Sequence, residues 1–189
     1  MRRALCVVLG ASLAPLTLAT PEFSIREATK DDLVTVSRIK VRSWAATYGP
    51  LIDPPALRPF LDQPAQLATL RKQLPQPSIL LLVAEDQAGT VIGFALTHLE
   101  SDPEPLLESL HVLPELQSRG AGTVLMRATA SELRTRGHDT MRLGVIVGNT
   151  AAARFYERLG GIFVGVEPVS WAAGVSHMVY RWSDLALLT

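Results

Sequence analysis

The spacing of apolar residues changes period several times along the chain, and each change marks an element. Phe23 to Ala28 reads as a short first strand. Thr29 then opens a helix, with Asp32 placed as the acidic partner of a capping box. Leu33, Val36 and Ile39 recur three apart and carry that helix through Lys40 and Ser43 towards Tyr48. Seven of the 13 prolines fall between Pro50 and Pro77, so helices there must be short and their connections irregular. Ile79 to Glu85 and Thr90 to His98 form a hairpin around Asp86-Gln87-Ala88-Gly89, and Leu106 to Leu113 is a further strand. Gly120 to Arg136 is predicted as a long helix, closed by Arg134 and Arg136 in its last turn and by Gly137. Met141 to Val147 is a buried strand. Asn149 caps a helix over Thr150 to Leu159, in which Ala152, Phe155 and Leu159 keep a core spacing and which Gly160 ends. Strands around Ile162 to Val166 and Ser176 to Trp182 complete the pattern. Strands interleaved with helices in this way predict an α/β fold of three layers, a mixed sheet with helices on both faces.

Composition narrows the picture. A chain of 189 residues, 48% hydrophobic and 19% charged, has the make-up of one globular domain rather than of a disordered chain. Its 18 basic and 18 acidic side chains cancel, so no overall field recruits nucleic acid or an anionic membrane. The single cysteine, Cys6, supports neither a disulfide framework nor a zinc site. Met1-Arg2-Arg3 followed by the uncharged run Ala4 to Pro21 has the outline of a signal peptide, short for a membrane span and interrupted by Pro15. The expectation is an apolar extension over residues 1–22, either uncleaved or the product of a misplaced start codon, preceding a single domain over residues 23–189.

The strongest chemical signal is Gln117-Ser118-Arg119-Gly120-Ala121-Gly122, set between a strand and a well-capped helix. Two glycines let the backbone approach a bulky anion. The free amides of the first helical turn and the positive end of the helix dipole favour one, and Arg119 adds a formal charge. A Walker loop is excluded because no Gly-Lys-Ser/Thr follows, and a dinucleotide fold because the third glycine and the acidic ribose ligand are missing. Asn149 and Tyr156 stand seven residues apart, two turns along one side of their helix, so both can reach one bound ligand.

The stretch Leu110-His111-Val112-Leu113-Pro114-Glu115-Leu116-Gln117-Ser118-Arg119-Gly120-Ala121-Gly122 resembles motif A of the GNAT superfamily of N-acetyltransferases. Asn149-Thr150-Ala151-Ala152-Ala153-Arg154-Phe155-Tyr156-Glu157-Arg158-Leu159-Gly160 resembles its motif B. Ile25-Arg26-Glu27-Ala28, Asp31-Asp32, Ser43-Trp44 and Tyr48 resemble the usual opening, so the resemblance covers about residues 23–183. It implies a mostly antiparallel mixed sheet splayed at its central strands, with acetyl-CoA as cosubstrate and an amine as acceptor. Amides of Gln117, Ser118, Arg119, Gly120, Ala121, Gly122 and Thr123 would hold the pyrophosphate. The strand edge at Leu110, His111 and Val112 would pair with the pantetheine arm, Asn149 and Ala152 would contact that arm, and an amide near Val112 would polarise the thioester carbonyl. Tyr156 would protonate the departing thiolate.

The base is less clearly marked. Many relatives carry a glutamate six residues before the position of Val112, where this chain has Leu106. Glu108 and Glu104 share the parity of Leu106, hence its face if the strand is regular, and Glu108 is the better candidate, either as base or as a rim charge. On the same assumption His111 points to the other face, while His98, His138 and His177 have no evident partner. Trp44, Tyr48, Trp171 and His177 are candidate walls for the acceptor. Direct transfer within a ternary complex requires neither a metal nor a covalent enzyme intermediate, and a cytoplasmic location follows from the cosubstrate. A catalytically silent acyl-CoA-binding domain is the alternative reading, and the oligomeric state is open, a homodimer being one possibility.

Overall fold

The computed structural model of the protein describes residues 22–188. Seven strands form one sheet in the order β1 (Phe23–Glu27), β2 (Ile79–Asp86), β3 (Val91–His98), β4 (Leu106–Val112), β5 (Met141–Ile146), β7 (Ser176–Trp182) and β6 (Ile162–Pro168). Every neighbouring pair is antiparallel except β4 and β5. The helices are α1 (Leu33–Tyr48), α2 (Pro54–Leu61), α3 (Gln63–Gln73), α4 (Ala121–Thr135) and α5 (Thr150–Arg158).

The sheet is covered on both faces, which explains the unbroken apolar run of β2. Leu81 and Val83 pack with Phe94, Leu96 and the α1 residues Leu33, Val36 and Ile39, together with Leu70 of α3. Leu80 and Leu82 turn the other way, towards Leu125, Met126 and Leu133 of α4. A strand buried on two sides loses the alternation that a half-exposed strand keeps. The three-layer α/β architecture expected from the sequence is the one observed.

Local chemistry sets the ends of the elements. The Thr29 amide donates to the Asp32 carboxylate at 2.7 Å, closing the capping box just ahead of α1. Arg26 of β1 grips the same carboxylate at 2.7 and 2.8 Å and also reaches Glu85 of β2, so the helix start is tied to the sheet edge. The proline-rich stretch forms two short helices, with Pro54 opening α2 and Asp62 capping α3 through the Ala65 amide. At the end of α4, Gly137 adopts φ +85° and the His138 amide returns to the Leu133 carbonyl, a Schellman closure.

Two departures from regularity shape the middle of the sheet. In β4, Leu107 pairs with Thr97 and Ser109 with Leu96, which leaves Glu108 as an extra residue in a bulge. Between β4 and β5, Leu106 and Arg142 form the single registered pair, and beyond it the two strands part. At the far edge of the sheet lies β6, where Ile162, Phe163, Val164 and Val166 are each more than half exposed.

Candidate active site

Where β4 and β5 part, a cleft of about 1090 Å³ opens between the two halves of the sheet. One half is built largely from backbone. The chain leaves β4 through a turn at Pro114–Leu116, passes Ser118 and Gly120 in the left-handed region at φ +64° and +96°, and enters α4 at Ala121. Val124 is the first residue after the turn whose amide reaches a backbone carbonyl, that of Gly120 at 3.0 Å. The amides of Ser118 to Thr123 have no acceptor among the described residues. Gln117 steadies this loop by donating from its side chain to the Val112 carbonyl at 3.2 Å. A Cβ added to Gly122 would stand 3.4 Å from the Phe155 ring, an ordinary van der Waals contact, so the start of α4 lies close beside α5. A row of free amides at a helix N-terminus, beside a strand edge that has lost its neighbour, fits a long ligand with an anionic end and a peptide-like arm.

α5 supplies the side chains of this half. Asn149 caps it, accepting from the Ala152 amide at 3.1 Å, and its amide nitrogen reaches the Tyr48 hydroxyl at 3.5 Å. Tyr156 is 8% exposed, with its ring against Phe155 and Trp182, and its hydroxyl makes no hydrogen bond among the described residues. Burial, and secondarily the nearby Tyr48 phenol, push its pKa upward, so it stays protonated and can act as an acid but not as a base. Of the residues singled out in the sequence, Leu110, His111, Val112, Gln117, Ser118, Gly120, Ala121, Gly122, Thr123, Asn149, Ala152 and Tyr156 all line the cleft. Arg119 does not. Arg154 and Arg158, four apart on α5, face it instead, and their spacing on a helix already capped by Asn149 is the signal that could have found them.

The other half is built from side chains of distant segments. Trp44 of α1 stacks on Phe60 of α2 with centroids 3.9 Å apart and planes 4° from parallel. Tyr48 and Trp171 close around the pair at 4.7 and 6.0 Å from Trp44. Phe60 was not marked by the sequence, because the proline-rich segment carrying it has no periodicity to orient it.

The bulge in β4 corrects the expected parity. Glu108 lies on the α1 face, where Lys40 meets one carboxylate oxygen at 3.3 Å and His98 the other at 2.6 Å, with Gln73 nearby at 3.4 Å. It therefore shares a face with His111, whose Nδ1 lies 2.9 Å from the Ser43 hydroxyl, and not with Leu110. Burial raises the Glu108 pKa, but the His98 hydrogen bond and the Lys40 charge outweigh it and hold the carboxyl at about 2. A carboxylate so firmly ionised is a poor proton acceptor. Burial and the Lys40 charge lower His111 to about 3 against the smaller opposing effect of Glu108, so that imidazole is neutral and also a weak base. Glu104 is held by Arg181 Nε at 2.7 and 3.0 Å.

A family model described as the acetyltransferase (GNAT) family matches residues 41–161, which include both the free-amide loop and α5. The chain belongs to the GNAT family. The matched family is one of acetyltransferases. The chain is 28% identical over 171 residues to the uncharacterized N-acetyltransferase YuaI of Bacillus subtilis, covering 87% of this chain and 95% of that one. It is 36% identical over 116 residues to a mycothiol acetyltransferase of Thermobispora bispora, covering 54% of this chain but only 39% of that longer protein. Among solved structures it resembles the PaiA N-acetyltransferase of Thermoplasma acidophilum in complex with coenzyme A, at a TM-score of 0.69 and 20% identity, covering 84% of this chain and 97% of the other. That likeness shows the GNAT fold. Among the described residues no group of three His, Cys, Asp or Glu side chains is placed to hold a metal ion, and no helix is long and apolar enough to cross a membrane.

Proposed function

We propose that this chain transfers an acetyl group from acetyl-CoA to a primary amine of a small molecule or peptide, by direct attack while both substrates are bound. The observation that carries the reading is the parting of β4 from β5, which turns the free amides of the 118–123 loop, a bare strand edge and the unpaired Tyr156 hydroxyl towards one cleft. Acetyl-CoA supplies the activated acyl carbon and a thiol leaving group. The loop amides hold its diphosphate and Arg154 and Arg158 offset the charge, while Leu110 to Val112 pair with the arm and Asn149 and Ala152 bound it on the α5 side. An amide near Val112 polarises the carbonyl, and Tyr156 gives its proton to the leaving sulfur. Glu108, held by Lys40 and His98, braces β4 against α1 rather than carrying protons.

Relatives bearing the names mycothiol acetyltransferase, [ribosomal protein bS18]-alanine N-acetyltransferase and streptothricin acetyltransferase differ in acceptor, so likeness to them leaves the amine open. The aromatic group at Trp44, Phe60 and Trp171 favours an acceptor with a flat or apolar body behind its amine. The reading places the protein in the cytoplasm, where acetyl-CoA is made and used, and a homodimer contact would be offered by the exposed apolar residues of β6. A panel of primary amines incubated with acetyl-CoA and the full chain, with detection of free thiol, tests the function. Binding of acetyl-CoA with no thiol release from any amine would favour the silent-domain reading.

A further inference from the structure

The acceptor reaches the cleft as an ammonium ion, with a pKa of about 10, and must lose a proton before its nitrogen can attack. Among the groups facing the acceptor half, Glu108 is fixed by Lys40 and His98, and His111 lies beside the same Lys40. Tyr48 holds Asn149, and Arg142 donates to the Asp102 carbonyl at 3.0 Å. His177 is the imidazole left over. It lies on β7, lines the cleft, and makes no hydrogen bond among the described residues.

Its seat is built by the sequence of the neighbouring strand. A Cβ added to Gly144 of β5 would come within 2.6 Å of the His177 Nδ1, so only glycine leaves room for the ring over the β5 backbone. Ile146 pairs with His177 in register and packs with Trp44 and Tyr48, which puts the ring on the aromatic, acceptor-facing side of the sheet. Glu167 of β6 is the direct cross-strand partner of His177 and also lines the cleft, so the two side chains project from the same face at neighbouring positions.

From this placement we infer that His177, seated on Gly144 and backed by Glu167, takes the proton from the acceptor ammonium. The inference rests on the acetyl-transfer reading above. One proton passes from the ammonium to the imidazole, and the freed nitrogen lone pair forms the C–N bond to the acyl carbon as the C–S bond breaks. The sulfur takes the Tyr156 proton, the second proton lost by the nitrogen restores Tyr156 through solvent, and the proton on His177 leaves to water. Glu167 stabilises the transient imidazolium. Burial lowers the His177 pKa from its ordinary 6.5 against the raising effect of Glu167, so the ring is neutral and ready at pH 7.

The test uses the full chain with two readouts. In the first, NMR of labelled histidine follows the His177 ring with acetyl-CoA bound. Titration below pH 6.5 is expected, and Glu167→Gln should move the midpoint down by about half a pH unit, the size expected for a charge about 5 Å away in a watery setting. In the second, kcat/KM is measured against pH with phenethylamine, spermidine and an alanine-initiated hexapeptide as acceptors. His177→Gln should lower kcat/KM about 100-fold or more and erase the acidic limb, while the KM for acetyl-CoA and the melting temperature hold. Glu167→Gln, on an exposed strand and safe for folding, should shift that limb to lower pH. An acidic limb that survives His177→Gln, or an NMR midpoint indifferent to Glu167→Gln, overturns the inference while leaving acetyl transfer intact. Absence of thiol release by the wild-type chain with every acceptor overturns both.

Discussion

The two halves of the cleft are made in different ways. The half beside α4 and α5 is made largely of backbone, free amides, a strand edge and two left-handed turn residues, with a few α5 side chains, all within one continuous stretch from Leu106 to Arg158. The half beside α1 and α2 is made of side chains drawn from far-apart segments, with Trp44 against Phe60 and Trp171, and His177 against Gly144. Backbone amides recognise what every acyl-CoA shares, so this half can keep one form whatever the acceptor. Side chains recognise what one acceptor has and another lacks, so under the proposed function the other half would set the specificity.

If this division is right, damage to one half should leave the other working. The largest effect is expected from Gly120→Val. A β-branched residue at φ +96° is strained even with open space around it, and Gly120 lines the cleft. The rise in melting temperature that acetyl-CoA gives the wild-type chain should vanish in the variant. An unchanged rise would remove the loop from the donor site. Next is Tyr156→Phe, which keeps the packed ring and loses the proton donor. A fall in kcat of about 100- to 10,000-fold with acetyl-CoA affinity kept is the expected result of steady-state kinetics, and full activity would mean that the thiolate leaves unassisted.

Phe60→Ala probes the opposite half. Losing one face of the Trp44 stack should raise the acceptor KM about 10-fold and leave the KM for acetyl-CoA within about twofold, as expected for one aromatic contact. Equal changes in both would blur the division. Glu108→Gln should alter stability more than rate, because it leaves the Lys40 ammonium, 6% exposed, without its partner. A loss of about 1–3 kcal/mol is expected from denaturant titration, with kcat/KM nearly unchanged. The carboxyl is held at about 2 against an ordinary 4.5. Its contribution is therefore complete above pH 4.5 and fades as pH falls towards 2, and the difference in stability between wild type and variant should shrink over that interval. A difference independent of pH would contradict the ion-pair assignment.

The same division explains how much could be read from the residues in order. The capping box at Thr29 and Asp32, the closure at Gly137, the Asn149 cap and the glycines at the start of α4 act over three to six residues, so their meaning is local and the sequence carries it directly. The β4 bulge is different. It arises from pairing with β3 across a connection, and nothing in Leu106 to Val112 announces that Glu108 will be the extra residue. One residue of offset moved Glu108 onto the α1 face and gave it Lys40 and His98, which hold its carboxyl ionised. The setting of His177 was hidden for the same reason. Gly144 and Glu167 meet it only through strand register, at sequence distances of 33 and 10 residues.

The central claim, that a donor half and an acceptor half cooperate in one transfer, is tested most directly by product analysis. The full chain is incubated with acetyl-CoA and the amine panel, free thiol is titrated, and the acceptors are weighed by mass spectrometry. The account predicts at least one acceptor gaining an acetyl group, with one thiol released for each amide formed. Tight acetyl-CoA binding without either product across the panel would contradict it.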